Sequence, residues 1–178
     1  MQLKIALLAA AVAAAGFTVQ SNAATNPATA TFNVTANVPA SCKVTATDIN
    51  FGAYDPVNAN STTALPSTGG VSVSCVKGTE AVVSLDEGQN AGGGSTCTAP
   101  VRRMTDGSGN FLGYTITQDS SNANVWGCTS GTNTQGFTST SLTPAASNGL
   151  YTTYGLIPAG QDVAVGSYSD VVTVSVAF

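Results

Sequence analysis

Apolar and polar residues alternate with period two along much of this chain, and no stretch after residue 23 carries a convincing 3.6-residue period. The cleanest run is Ala28-Thr-Ala30-Thr-Phe32-Asn-Val34-Thr-Ala36-Asn-Val38, which alternates without a fault. Val71-Ser-Val73-Ser-Cys75, Ala81-Val-Val83-Ser-Leu85, Leu112-Gly-Tyr114-Thr-Ile116 and Val172-Thr-Val174-Ser-Val176-Ala-Phe178 repeat the pattern. Valine, threonine and tyrosine dominate these runs, while Gly, Asn, Asp, Ser and Pro separate them. Asp106-Gly-Ser-Gly-Asn110 reads as a hairpin turn, because Gly and Asn tolerate positive φ. With Lys43–Phe51 and Leu150–Ile157 added, roughly seven or eight strands at sandwich spacing are expected. The predicted fold is therefore all-β, an immunoglobulin-like antiparallel β-sandwich. Gly88–Pro100 and Thr129–Gly149 are polar and are expected to be exposed loops tethered by nearby cysteines.

The two ends of the patterned region stand out. Alternation as regular as that of 28–38 requires one buried face, since a one-residue slip turns every apolar group to water. Burying Phe32, Val34 and Val38 contributes about 5–9 kcal/mol. Ordering the segment costs at least as much, at about 1–2 kcal/mol per residue. Alone it stays unstructured; it becomes a strand by adding to an existing sheet, where backbone hydrogen bonds tip the balance. That sheet is either its own or another copy's, and the pattern fits both. At the other end, alternation runs to Phe178; a free carboxylate is expected at that strand end, and a last strand of this kind can leave an unfilled edge and groove beside it.

Composition narrows the chemistry. The 178 residues include no histidine, which removes Ser-His-Asp and Cys-His catalysis and His-bearing zinc sites. Five Lys+Arg against nine Asp+Glu give a net charge of −4, a poor match for nucleic acid or anionic lipid. Met1–Ala23 reads as a secretory signal: Lys4, an apolar run from Ile5 to Val19, then the small residues Ser21 and Ala23. Cleavage is expected after Ala23, with Ala24 as the alternative, and no later segment approaches transmembrane length. Cys42, Cys75, Cys97 and Cys128 all lie in the exported part, as structural disulfides do. Spacing alone leaves three connectivities open. A four-thiolate zinc site is disfavoured because no C-x-x-C pair exists. No metal or other cofactor is expected.

Other conspicuous residues have plain readings. Phe51, Trp126, Tyr154 and Tyr168 are more often core or corner residues of a sandwich than a ligand surface. Asp86-Glu87 would point to opposite faces of a strand, the wrong geometry for a glycosidase pair. Arg102-Arg103 is too small a basic patch for nucleic acid, and Asp106–Asn110 lacks the ligand spacing of a calcium-binding EF-hand loop. Asn33-Val-Thr35 and Asn60-Ser-Thr62 match glycosylation sequons, a pattern common by chance. An enzyme is not expected.

Several fragments in order resemble the spore coat protein U domain family, which includes subunits of archaic chaperone–usher pili. They run from the lead strand into Cys42, then Ile49-Asn-Phe51-Gly52-Ala-Tyr54-Asp-Pro56 and Val71-Ser-Val-Ser-Cys75-Val-Lys77-Gly78. Val83-Ser-Leu85-Asp86-Glu-Gly88, Arg103-Met104, Leu112-Gly-Tyr114 and Val125-Trp126-Gly127 follow. Tyr154-Gly155-Leu-Ile-Pro158-Ala-Gly160-Gln161 and Gly166-Ser-Tyr168-Ser-Asp170 are the most specific. The resemblance implies a signal peptide (1–23), a donor-strand segment (24–41) and a pilin-like β-sandwich (42–178), incomplete and completed by donor-strand exchange. Ala28, Ala30, Phe32, Val34, Ala36 and Val38 would be the donor. Val172, Val174, Val176 and Phe178 would border the acceptor groove and meet a periplasmic pilus chaperone. Cys42–Cys75 matches the family's recurring pair, and Cys97–Cys128 is similar to the second bond of a subset. The implied partners are that chaperone, an outer-membrane usher and other pilin subunits, and the implied destination is a surface fimbria supporting adhesion and biofilm formation. The alternatives are a secreted, self-complemented coat or matrix protein, since Pro39-Ala-Ser41 is short enough for a local hairpin, and a ligand-binding module at a fibre tip.

Overall fold

The structure is a computed structural model that describes residues 27–145 and 148–178; the expected signal segment lies outside them. The chain divides after Asn37. Residues 28–41 form no strand, and Phe32 and Val34 are 86% and 83% exposed.

Residues 38–178 carry eight described strands: β1 (Cys42–Thr47), β2 (Leu65–Cys75), β3 (Glu80–Leu85), β4 (Arg102–Thr105), β5 (Phe111–Thr117), β6 (Gln135–Thr138), β7 (Leu150–Ile157) and β8 (Val174–Ala177). They form a five-stranded sheet, β1-β2-β7-β5-β4, and a three-stranded sheet, β6-β3-β8. Every strand pair is antiparallel. The alternation explains the packing: Val71, Val73 and Cys75 of β2, Leu112, Tyr114 and Ile116 of β5, and Ile157 of β7 face inward from one sheet. Ala81, Val83 and Leu85 of β3 meet them from the other, giving one core between two layers and an all-β sandwich. Trp126 joins the layers. Its side chain is wholly buried, its indole N–H donates to the Val83 carbonyl (3.3 Å) and its backbone N–H to that of Ile116 (2.9 Å).

Three local expectations are corrected. The strand expected over Lys43–Phe51 stops at Thr47. Beyond it Ile49 and Phe51 turn inward over Gly155, where a Cβ would lie 2.8–2.9 Å from their side chains. The Asn50 side-chain oxygen closes the bend by accepting from the Gly52 N–H (2.9 Å). The stretch Thr129–Gly149 is not all loop, because β6 pairs with β3 and Phe137 packs edge-on against Tyr151 (6.2 Å). The last strand is shorter than its alternation, because residues 170–173 leave the ladder before β8 begins. Disulfides join Cys42 to Cys75, which are register partners in β1 and β2, and Cys97 to Cys128. The second ties the 88–100 loop beside Trp126.

Candidate functional site

The bend after β1 and the stretch leading into β8 stand on either side of an open groove of about 1070 Å³. Its floor is the inward face of the sandwich, including Val71, Leu85, Leu112, Ile116 and Ile157. Residues 46–56 form one border and 163–170, Val172 and Val174 the other. β1 ends the five-stranded sheet and β8 ends the three-stranded one, so each has a ladder partner on one side only among the described strands. A trough with an apolar floor and polar rims, beside sheet ends with unused backbone donors and acceptors, is chemically suited to receive an extended chain with apolar residues at alternate positions.

Of the residues expected to border such a groove, Val172 and Val174 line it. Val176 is half-buried against the core opposite Val83, and Phe178 is 61% exposed beyond β8; neither is among the lining residues. Phe51 and Tyr168 line the groove, and Phe51 meets Tyr114 edge-on (6.3 Å). Tyr54, which the alternation does not single out, ties the 46–56 border to the turn that follows β7. Its hydroxyl donates to the Pro158 carbonyl (2.8 Å) and accepts from the Gln161 N–H (2.9 Å). Tyr154 lies outside the core cluster. The groove's floor also holds Thr153, whose buried hydroxyl has no partner among the described residues.

A polar cluster supports the floor. Arg102 is 2% exposed and is not the surface charge that an Arg-Arg pair implies. Its Nη2 donates to the carbonyls of Asp86 (2.5 Å), Leu85 (3.3 Å) and Trp126 (2.8 Å), and its Nε donates to Asp86 (3.0 Å). Burial pushes its pKa below the ordinary guanidinium range, opposed by Tyr114 and the carboxylates of Asp86, Asp170 and Glu87. Tyr114 is pushed upward by burial and by donating to Asp170 (2.7 Å). Arg103 stacks on Phe111, 4.0 Å from the ring centroid. Glu87 lies near the sulfurs of Cys97 and Cys128, but these are bonded to each other and offer no thiolate to a metal. Asn60 of the second sequon is buried, with its side chain bonded to Asp55 N–H (3.0 Å) and the Thr63 carbonyl (3.1 Å), closed to modification in the folded domain.

Asp86 gives a pH prediction. Partial burial raises its carboxyl pKa, but hydrogen bonds from Thr173 and Gly88 and the Arg102 charge outweigh this and hold it below the usual value. A group lowered in the folded state contributes stability that is complete above its unfolded pKa, about 3.9, and lost as pH falls through the folded value. Asp86→Asn should therefore flatten the acid limb of urea stability below about pH 4. Acid limbs of equal slope in the two proteins would show that these bonds contribute nothing.

Fold and groove define an antiparallel β-sandwich with an open groove between its layers. Comparison gives the family: the model of the Spore Coat Protein U domain matches residues 28–175. "Protein U" of Myxococcus xanthus is 36% identical over 181 aligned residues, covering 96% of each chain. The chain belongs to the spore coat protein U domain family. Among solved structures, the CsuC–CsuE chaperone–tip adhesion subunit pre-assembly complex from the archaic chaperone-usher Csu pili of Acinetobacter baumannii is similar at a TM-score of 0.48 and 26% identity. That similarity covers 79% of this chain and 40% of the other, so the chain spans less than half of that neighbour's length.

Proposed function

We propose that this protein is a structural, pilin-type subunit that polymerises by strand addition. Ala28–Val38 of one copy enters the groove of the next, with Ala28, Ala30, Phe32, Val34, Ala36 and Val38 facing the core and the intervening Thr and Asn facing water. One observation carries the reading: a groove with an apolar floor beside sheet ends unpaired among the described strands, in a chain that also carries an exposed segment with the alternation of a strand. Membership of the coat protein U family supports it. No bond is made or broken; the work is β-augmentation, and fibre stability is kinetic, because release requires withdrawing a whole strand. In this reading a periplasmic chaperone covers the groove before assembly, an outer-membrane usher exchanges it for the next subunit's strand, and the product is a surface fimbria serving adhesion and biofilm formation. The groove-bordering residues would be Val172 and Val174, with Val176 and Phe178 extending the edge met by the chaperone.

The test is the assembly state of the mature protein with and without residues 24–38, by electron microscopy and size exclusion. Heat-resistant linear polymers that vanish on truncation are expected. A full-length monomer that unfolds on truncation would instead make the segment part of its own sandwich, and a self-closed coat protein would take over.

A further inference from the structure

The wall of the groove on the β8 side crosses from one sheet to the other. Ser169 exchanges backbone hydrogen bonds with Thr105 of β4 (2.9 and 3.0 Å), whereas from Val174 onward the chain is laddered to β3. Between them residues 170–173 belong to neither sheet, yet Asp170 and Val172 face the groove. A wall without a ladder would ordinarily open at low cost.

Two carboxylates fasten it. Asp170 accepts the Tyr114 hydroxyl on one oxygen (2.7 Å), and the Asn90 backbone and side-chain N–H groups on the other (3.2 and 3.0 Å). Asp86 accepts the Thr173 N–H (2.9 Å) and the Gly88 N–H (3.0 Å) on one oxygen, while its own N–H donates to the Thr173 carbonyl (3.0 Å). The Gln89 N–H adds a bond to the Val171 carbonyl (3.1 Å). Gly88, at φ +79°, leaves the space: a Cβ there would collide with the Asp170 carboxylate. Hydrogen bonds to an ionised acceptor are about twice as strong as neutral ones, so the crossover is tied where its backbone is least supported.

We propose that Asp86 and Asp170 are positioning residues that clamp the crossover and hold the groove open in the unassembled subunit, ready for strand uptake. The uptake half of this inference rests on the strand-addition reading; the clamp does not. A preformed border spares the incoming strand the cost of ordering its own site.

The experiment compares monomeric mature wild type with Asp170→Ala, Asp86→Ala and Asp119→Ala. The last removes a carboxylate that accepts several N–H bonds within its own loop, away from the crossover. Hydrogen exchange is read by mass spectrometry on fragments covering 168–178 and 65–75, and strand uptake with a fluorescent synthetic peptide of residues 24–38. Expected for both crossover variants is at least tenfold faster exchange in 168–178 with 65–75 unchanged, together with at least fivefold slower uptake; Asp119→Ala should match wild type in both. Unchanged exchange at 168–178, or equal acceleration in both fragments, would overturn the clamp. Unchanged uptake with a loosened border would overturn the positioning role. If wild type takes up no peptide, the strand-addition reading fails, while the exchange comparison still decides the clamp.

Discussion

Phe32→Asp should abolish fibre growth by the mature protein and leave the subunit folded. Phe32 is the largest side chain on the apolar face of the 28–38 segment and is exposed in the unassembled chain, outside the core cluster. In an assembled fibre it would exchange water for the floor of the groove, worth about 2–3 kcal/mol. Aspartate forfeits that gain and adds the cost of placing a carboxylate on an apolar floor, several kcal/mol more. A combined loss of about 5 kcal/mol lowers the association constant by between three and four decades. The core strands and both disulfides are untouched, so circular dichroism and the urea midpoint of the monomer should equal wild type. Fibres of normal length and heat resistance from this variant would refute the insertion of Phe32.

The parts of this structure that were legible in the sequence are those where one strand sees one core. β3 and β5 follow the apolar alternation of Ala81–Leu85 and Leu112–Ile116 to within a residue, β7 matches the strand expected over Leu150–Ile157, and β2 contains Val71–Cys75 but begins at Leu65, before the alternation does. β6 was not, because Phe137 is its one large apolar residue in a polar stretch and its pairing with β3 is settled by tertiary packing. The groove was half legible. Val172 and Val174 announce themselves by period, but the opposite border is an irregular bend whose inward turn depends on bare Gly155, a hundred residues further on. Conversely, the alternation of 28–38 predicts a strand, and the structure has none there, because period-two alternation specifies which face would be buried but not which sheet would bury it. The buried Arg102 is the largest departure. An Arg-Arg pair reads as solvated charge, and nothing nearby in sequence reveals that the first guanidinium is buried among the carbonyls of Leu85, Asp86 and Trp126 while the second is half-buried and donates to those of Asn90 and Ala91.

That guanidinium carries the second large effect. Arg102→Ala should destabilise the oxidised monomer by about 3 kcal/mol or more, read as a lower urea midpoint. The carbonyls of Leu85, Asp86 and Trp126 share this one donor group at the point where β3 ends and Trp126 bridges the sheets. Leaving buried acceptors unpaired costs about 1–3 kcal/mol each, and the vacated stem adds a cavity. Opposing this, the charge is itself expensive to bury, and Nη1 has no partner among the described residues. Arg102→Met separates the two contributions, since it keeps most of the packing and removes both the charge and the donors. If the donors dominate, Met recovers only the cavity part and stays well below wild type. Arg102→Lys should also stay low, because a single ammonium cannot reproduce the fork that spans Asp86 and Trp126. A Met variant as stable as wild type would mean that desolvation cancels the hydrogen bonds. Arg102 would then be held for the shape of the groove's support, because the Asp86 carbonyl it grips belongs to the residue that holds Thr173 at the border.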